Sequence, residues 1–152
     1  MKKHSVLAMG LGWVLAFGAV ALAGDTATVS VSATVVGTCK FNTGGTVEFT
    51  LDPSVGGDAA GTVTQPTFWC TKGASYTITD DKGLNESGTT FRMKHQTLNE
   101  YISYTFTYTA SGAGNGKSSP ITMNITSSVQ ESDYINASAG SYSDTVTLTI
   151  NP

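Results

Sequence analysis

From Ala27 onward, apolar residues recur at every second position in run after run, and that spacing admits few folds. Ala27, Val29, Val31, Ala33 and Val35 alternate with Thr26, Thr28, Ser30, Ser32 and Thr34. Val47, Phe49 and Leu51 make a shorter run ended by Asp52-Pro53. Val63 to Thr71 is extended in character but interrupted by Pro66, and Tyr76 and Ile78 lead into the Asp80-Asp81-Lys82-Gly83 turn. Ile102, Tyr104, Phe106 and Tyr108 form the next set, then Ile121, Met123 and Ile125, and finally Val146, Leu148 and Ile150. A period of two puts each set on one face of a strand. With Gly, Asn and Asp turns between the runs, the pattern predicts an all-β antiparallel sandwich, with Trp69 in its core. Between Arg92 and Asn99 neither period dominates, and a short helical turn is admitted there. No internal repeat or linker divides the chain after residue 36, so residues 37–152 read as one domain.

Ahead of the strands lies a different kind of sequence. Lys2 and Lys3 precede an apolar run from Val6 to Val20, and Ala21-Leu22-Ala23 ends it with small residues at alternate positions. This order predicts a secretory signal peptide over residues 1–23. A membrane anchor is the rival reading, since the apolar stretch approaches the ~20 residues that a spanning helix needs. The small-residue exit favours cleavage.

The whole chain has eight basic and 11 acidic residues. Removing Lys2 and Lys3 makes the remainder more acidic still. Such a surface offers no extended basic patch to neutralise phosphates, which argues against nucleic acid as a partner. Two cysteines remain, Cys39 and Cys70. In an exported chain an isolated pair is most often a disulfide. Closing a loop of about 32 residues would stabilise the fold by roughly 3–4 kcal/mol.

A search for chemistry finds no catalytic or metal-ligating set. Histidine-assisted nucleophilic catalysis needs a histidine beside a nucleophile and an orienting acid. His95 stands alone after residue 23, both cysteines are engaged, and no G-x-S-x-G elbow occurs. His95 is therefore read as a surface histidine on a strand or loop. Gly112-Ala113-Gly114-Asn115-Gly116-Lys117-Ser118 resembles a phosphate loop only superficially, because position 111 is Ser111 and no helix pattern follows. It reads as a flexible hairpin loop. Asp52, Asp58, Asp80 and Asp81 lack the spacing of a calcium loop and suit turns. The acceptor triplets at Asn85, Asn124 and Asn136 read as chance matches. No cofactor and no small-molecule substrate is expected, and the chain is not read as an enzyme.

The first alternating run admits two roles. It could be an ordinary first strand of the sandwich. It could also be a donor strand, with Ala27, Val29, Val31, Ala33 and Val35 filling a groove in a neighbouring copy. Three buried valines would contribute roughly 5–8 kcal/mol to such a contact. Strand addition to an incomplete sheet is an established assembly mode.

Several segments carry a family resemblance. They are the N-terminal strand leading into Gly37-Thr38-Cys39, the Asp52-Pro53 turn, Val63-Thr64, and Trp69-Cys70-Thr71-Lys72-Gly73. Tyr76-Thr77-Ile78-Thr79-Asp80 and the closing Gly140-Ser141-Tyr142-Ser143-Asp144-Thr145-Val146-Thr147-Leu148-Thr149-Ile150 follow. On these, Ala27 to the C-terminus resembles a spore coat U domain protein, of the family that includes major subunits of archaic, Csu-type chaperone–usher pili. The G-x-Y-x-D-x-V pattern near the end is the most specific element.

The resemblance implies an immunoglobulin-like sandwich, incomplete by one strand, with residues 24–36 as the donor segment. The final strand, Asp144 to Asn151, would line the groove, with Tyr142, Val146, Leu148 and Ile150 as the groove residues. A periplasmic chaperone would hold that strand first, and an outer-membrane usher would pass the subunit to other copies of itself or related subunits. The destination implied is the cell surface or a pilus, reached through the periplasm. Some pilus subunits carry Trp-Gly after the aromatic strand, whereas here Tyr104–Tyr108 leads into Thr109-Ala110-Ser111-Gly112. That leaves open a secreted, self-complemented coat relative. The alternative function is a secreted monomeric binding module for carbohydrate or a surface, which should carry exposed aromatic residues.

Overall fold

The structure, a computed structural model, describes residues 24–152. The expected signal peptide lies outside the described residues. Among those described, no helix is long and apolar enough to cross a membrane.

Thr34–Pro152 form one compact unit of short antiparallel strands. One sheet contains β1 (Cys39–Thr43), β5 (Thr67–Cys70) and β10 (Ile121–Thr122), in the order β1-β5-β10. A ribbon pairs β2 (Thr46–Glu48) with β4 (Thr62–Thr64). The largest sheet holds β3 (Ala59–Ala60), β7 (Phe91–His95), β8 (Tyr101–Thr107), β11 (Thr126–Val129) and β12 (Tyr142–Ser143), ordered β12-β7-β8-β11-β3. A third sheet places β6 (Ser75–Asp80) between β9 (Ser111–Ala113) and β13 (Leu148–Asn151). The all-β, antiparallel class expected from the alternation is the class observed.

The long runs of the sequence are cut into shorter strands for identifiable reasons. Pro66 has no N–H to give to a ladder, so it separates β4 from β5, while its carbonyl accepts from Met123 N at 2.9 Å. Gly44 and Gly45 separate β1 from β2. A Cβ on Gly45 would run into the Thr64 carbonyl and stand 2.7 Å from Pro66 Cδ, so only glycine fits where those two backbones cross.

Two apolar clusters fill the interior. Phe68, Cys70, Tyr76, Ile78, Met123 and Ile125 make the first. Phe91, Ile102, Tyr104, Val129 and Tyr134 make the second, and Phe106 packs against both. Edge-to-face contacts such as Phe68–Tyr76, with centroids 5.0 Å apart, knit the first cluster.

Four details differ from expectation. The ambiguous stretch from Arg92 is strand as far as His95, whose N–H donates to Glu100 O at 2.9 Å and closes a hairpin around Gln96–Asn99. The one helix among the described residues is α1 (Glu131–Tyr134), tied down by Tyr134 Oη donating to Gly57 O at 2.7 Å. Trp69 is not core. Phe68 and Cys70 point inward, and the period of two sends Trp69 to the outer face. Lastly, the Gly112–Ser118 stretch is a packed connection, not a flexible loop: Gly114 N donates to Ala74 O at 2.8 Å and Gly116 N to Cys70 O at 3.0 Å.

Candidate functional site

The feature that organises this domain is a groove. Topologically, β1 is an edge strand beyond β5, and β13 is an edge strand beyond β6. The two edges converge at one end, where a Cβ on Gly37 would stand 3.9 Å from Pro152 Cβ. Away from that end they part, and an apolar cavity of about 690 Å³ opens between Phe41–Phe49 and Tyr142–Leu148. Phe106, Ile125, Met93 and Tyr104 form its floor. A second cavity of about 740 Å³ continues past the shared residues Val47, Phe49, Met93 and Tyr142 toward Ile102, Tyr134 and Ala137.

Phe41, Val47, Phe49, Val146 and Leu148 are only partly buried, although they belong to the core clusters. Each leaves apolar surface in the groove, and covering such surface is worth roughly 25 cal/mol per Å². An unpaired strand edge beside it offers a row of backbone donors and acceptors. Together these match the needs of an added extended segment.

The residues expected to line a groove strand are found on one face. Tyr142, Asp144, Val146, Leu148 and Ile150 are half-buried, alternating with exposed Ser141, Ser143, Thr145, Thr147 and Thr149. Tyr142, Val146 and Leu148 line the first cavity, whereas Ile150 packs into the first core cluster beyond it. The residues expected to donate a strand lie elsewhere in character. Residues 24–38 form no strand and are exposed throughout, with Val29, Val31 and Val35 at 85%, 91% and 83% exposure.

The structure gives the closing motif a physical basis. Gly140 adopts φ 155°, and a Cβ there would collide with His95 Nε2. The Tyr142 ring packs edge-on against His95 at 4.8 Å, and its hydroxyl reaches the Glu100 carboxylate at 3.1 Å and Ser138 O at 3.0 Å. Asp144 accepts from Tyr104 Oη at 2.7 Å and from Asn85 Nδ2 at 3.0 Å. Val146 completes the groove wall. These contacts fix the wall of the groove that has no sheet partner of its own between β12 and β13.

His95 itself corrects the expectation of a surface residue. It is 6% exposed, with Nδ1 accepting from the N–H groups of Thr97 at 3.1 Å and Leu98 at 3.0 Å. The buried ring is thus a structural acceptor that shapes the Gln96–Asn99 turn. Phe41, Met93 and Tyr104 were not singled out by sequence as groove residues, whereas Asp144 stands at the start of the stretch expected to line it. The odd-numbered alternation around Val47 and Phe49 was the available signal for that wall.

Carboxylates brace the same wall. Asp81 is held below the usual carboxylate range by N–H donation from Thr147, at 2.9 Å, and Gly83. Glu100 is lowered by the Ser138 hydroxyl and backbone N–H. At Asp80, burial pushes upward but is outweighed by the Tyr108 hydroxyl and by the Lys82 N–H and ammonium. Burial, and then the paired carboxylates, push the Tyr104 and Tyr108 hydroxyls well above their ordinary range.

A carboxyl lowered in the folded state contributes stability above its unfolded value of about 4, and loses it as pH falls through the folded value. The melting temperature should therefore be insensitive to these groups near neutrality and drop below about pH 4. Thermal scans across that range check this. Asp81→Asn should shrink the acid-dependent part, and an unchanged acid slope would contradict the assignment.

Cys39 and Cys70 form a disulfide, S–S 2.04 Å, between directly paired positions of β1 and β5. It fastens the first edge strand at its start, beside the converging end of the groove.

The fold and site define an antiparallel β-domain with an apolar groove open between two sheet edges. A family model described as the Spore Coat Protein U domain matches residues 25–149, and the chain belongs to that family. No curated protein matches it. Among solved structures, it is similar to the CsuC–CsuE chaperone–tip adhesion subunit pre-assembly complex from the archaic chaperone–usher Csu pili of Acinetobacter baumannii. That match has 19% identity and a TM-score of 0.46, and covers 77% of this chain. It spans 40% of the matched chain.

Proposed function

We propose that this protein is a structural subunit of a surface pilus or coat, assembled by donor-strand complementation. The observation that carries the reading is the pairing of opposites within one chain. An apolar groove lies between two unpaired strand edges, and a separate alternating apolar segment, Ala27–Val35, is fully exposed and without a strand partner. Each supplies what the other needs: extended backbone for the edges, and small apolar side chains for the groove. In this reading Ala27, Val29, Val31, Ala33 and Val35 enter the groove of the next copy. A periplasmic chaperone covers the groove beforehand, and an outer-membrane usher presents it for exchange. Residues 1–23 direct export through the periplasm. Membership of the spore coat U family supports a structural role over catalysis.

Deleting residues 24–36 tests this directly. The truncated chain should still be captured by its chaperone but form no polymer, and should aggregate without the chaperone. A truncated chain that is soluble, folded and monomeric by itself, or that still polymerises, would overturn donor-strand assembly.

A further inference from the structure

We propose that the outer face of the β1–β5 pair is a platform for an acidic polysaccharide, centred on Trp69. The indole lies on the side of β5 opposite Phe68 and Cys70, and therefore faces away from the groove. The residue is partly exposed, at a position where an outward threonine would serve the strand as well. Around it gathers positive charge. Lys40 is its direct cross-strand partner, close enough for side-chain contact. Lys117 Nζ stands 5.7 Å from the ring centroid. Lys72 borders the same rim, since a Cβ on neighbouring Gly116 would lie 3.7 Å from Lys72 Cβ.

These three are half of the cations in the described residues, the others being Lys82, Arg92 and Lys94. The one salt bridge among the described residues is Lys82–Asp80, so none of these three ammonium groups is held in an ion pair. In a chain that is acidic overall, an aromatic ring ringed by unpaired ammonium groups suits a ligand that is both flat-faced and anionic. A uronic acid has that chemistry: the C–H face of the sugar stacks on indole, and its carboxylate pairs with an ammonium. A nucleic acid strand fits less well, because three lysines in an acidic chain neutralise only a short run of phosphates. Binding at this face does not depend on donor-strand assembly.

Trp69 is the only tryptophan in residues 24–152, so its emission reports occupancy. The processed protein is titrated with a galacturonic acid tetramer, with maltotetraose as the neutral counterpart and oligothymidylate as the polyphosphate. Trp69→Phe serves as the optical blank and, by calorimetry, as a non-binding variant. The galacturonate oligomer should give a saturable change that Lys40→Gln with Lys117→Gln weakens about tenfold or more, and that high salt suppresses. Maltotetraose should give none. No saturable response, an equal response to maltotetraose, tighter binding of oligothymidylate, or full affinity in either variant would overturn the proposal. The comparison of ligands on the unaltered protein decides even if a variant fails to accumulate.

Discussion

Val31→Asp is expected to abolish polymer formation while leaving the subunit's own fold intact. Val31 is 91% exposed, so the free chain loses no packing when it is changed. In a neighbour's groove the same substitution forfeits about 1.5–3 kcal/mol of apolar burial and adds the cost of desolvating a carboxylate, several kcal/mol more. At about 1.4 kcal/mol per factor of ten, that sum weakens each junction by three orders of magnitude or more. The control is Ser32→Asp. It lies one position along, on the other face of an extended strand, and should assemble nearly normally. Electron microscopy of surface fibres, together with the yield of chaperone-bound subunit, reads both variants. Equal defects, or equal assembly, in the two would show that the segment does not enter a groove as an alternating strand.

The second large effect concerns the disulfide. Replacing Cys39 and Cys70 with alanine should destabilise the domain by roughly 3–4 kcal/mol on the chain-entropy account, lowering Tm by about 10–15 °C. The consequence reaches beyond stability. Cys70 is fully buried among Phe68, Tyr76 and Ile78, while β1 is held in its sheet by β5 alone. Without the cross-link the edge strand that borders the groove is free to fray, so capture by a chaperone should fall along with Tm. Calorimetry of the oxidised and cysteine-free proteins, with co-purification of the chaperone, measures both. A melting temperature shifted by less than about 3 °C would place the bond outside the folding core.

Much of the fold was legible because a period of two leaves little choice. Tyr76 and Ile78, and Ile102 and Tyr104, stand inward as their spacing required, and the isolated cysteines pair. What misled was identity taken without phase. Trp69 looked like core by its size, yet its neighbours Phe68 and Cys70 hold the inward positions, and a strand cannot turn three consecutive side chains the same way. His95 looked like a surface residue by its polarity. It is buried because backbone N–H groups from a turn two and three residues later use its ring as their acceptor. No spacing rule announces such a local arrangement. The G-x-Y-x-D-x-V pattern was recognisable as a motif before it had a reason. Gly140, Tyr142 and Asp144 acquire theirs only from His95, Glu100, Tyr104 and Asn85, up to 59 residues away along the chain.

By itself the sequence determined the class of this protein: strands, antiparallel pairing, one disulfide, and a first segment able to pair but rich in small apolar side chains. Those properties are local, set by alternation and turn residues within a few positions. Only the tertiary structure decided where the open surface lies. The groove is a gap between β1 and the stretch from Tyr142 to Leu148, segments about a hundred residues apart, and its depth depends on Met93, Phe106 and Ile125 from three further segments. Alternation says that a residue faces inward, but not whether another strand lies across from it. That depends on which edges the folded chain leaves unpaired.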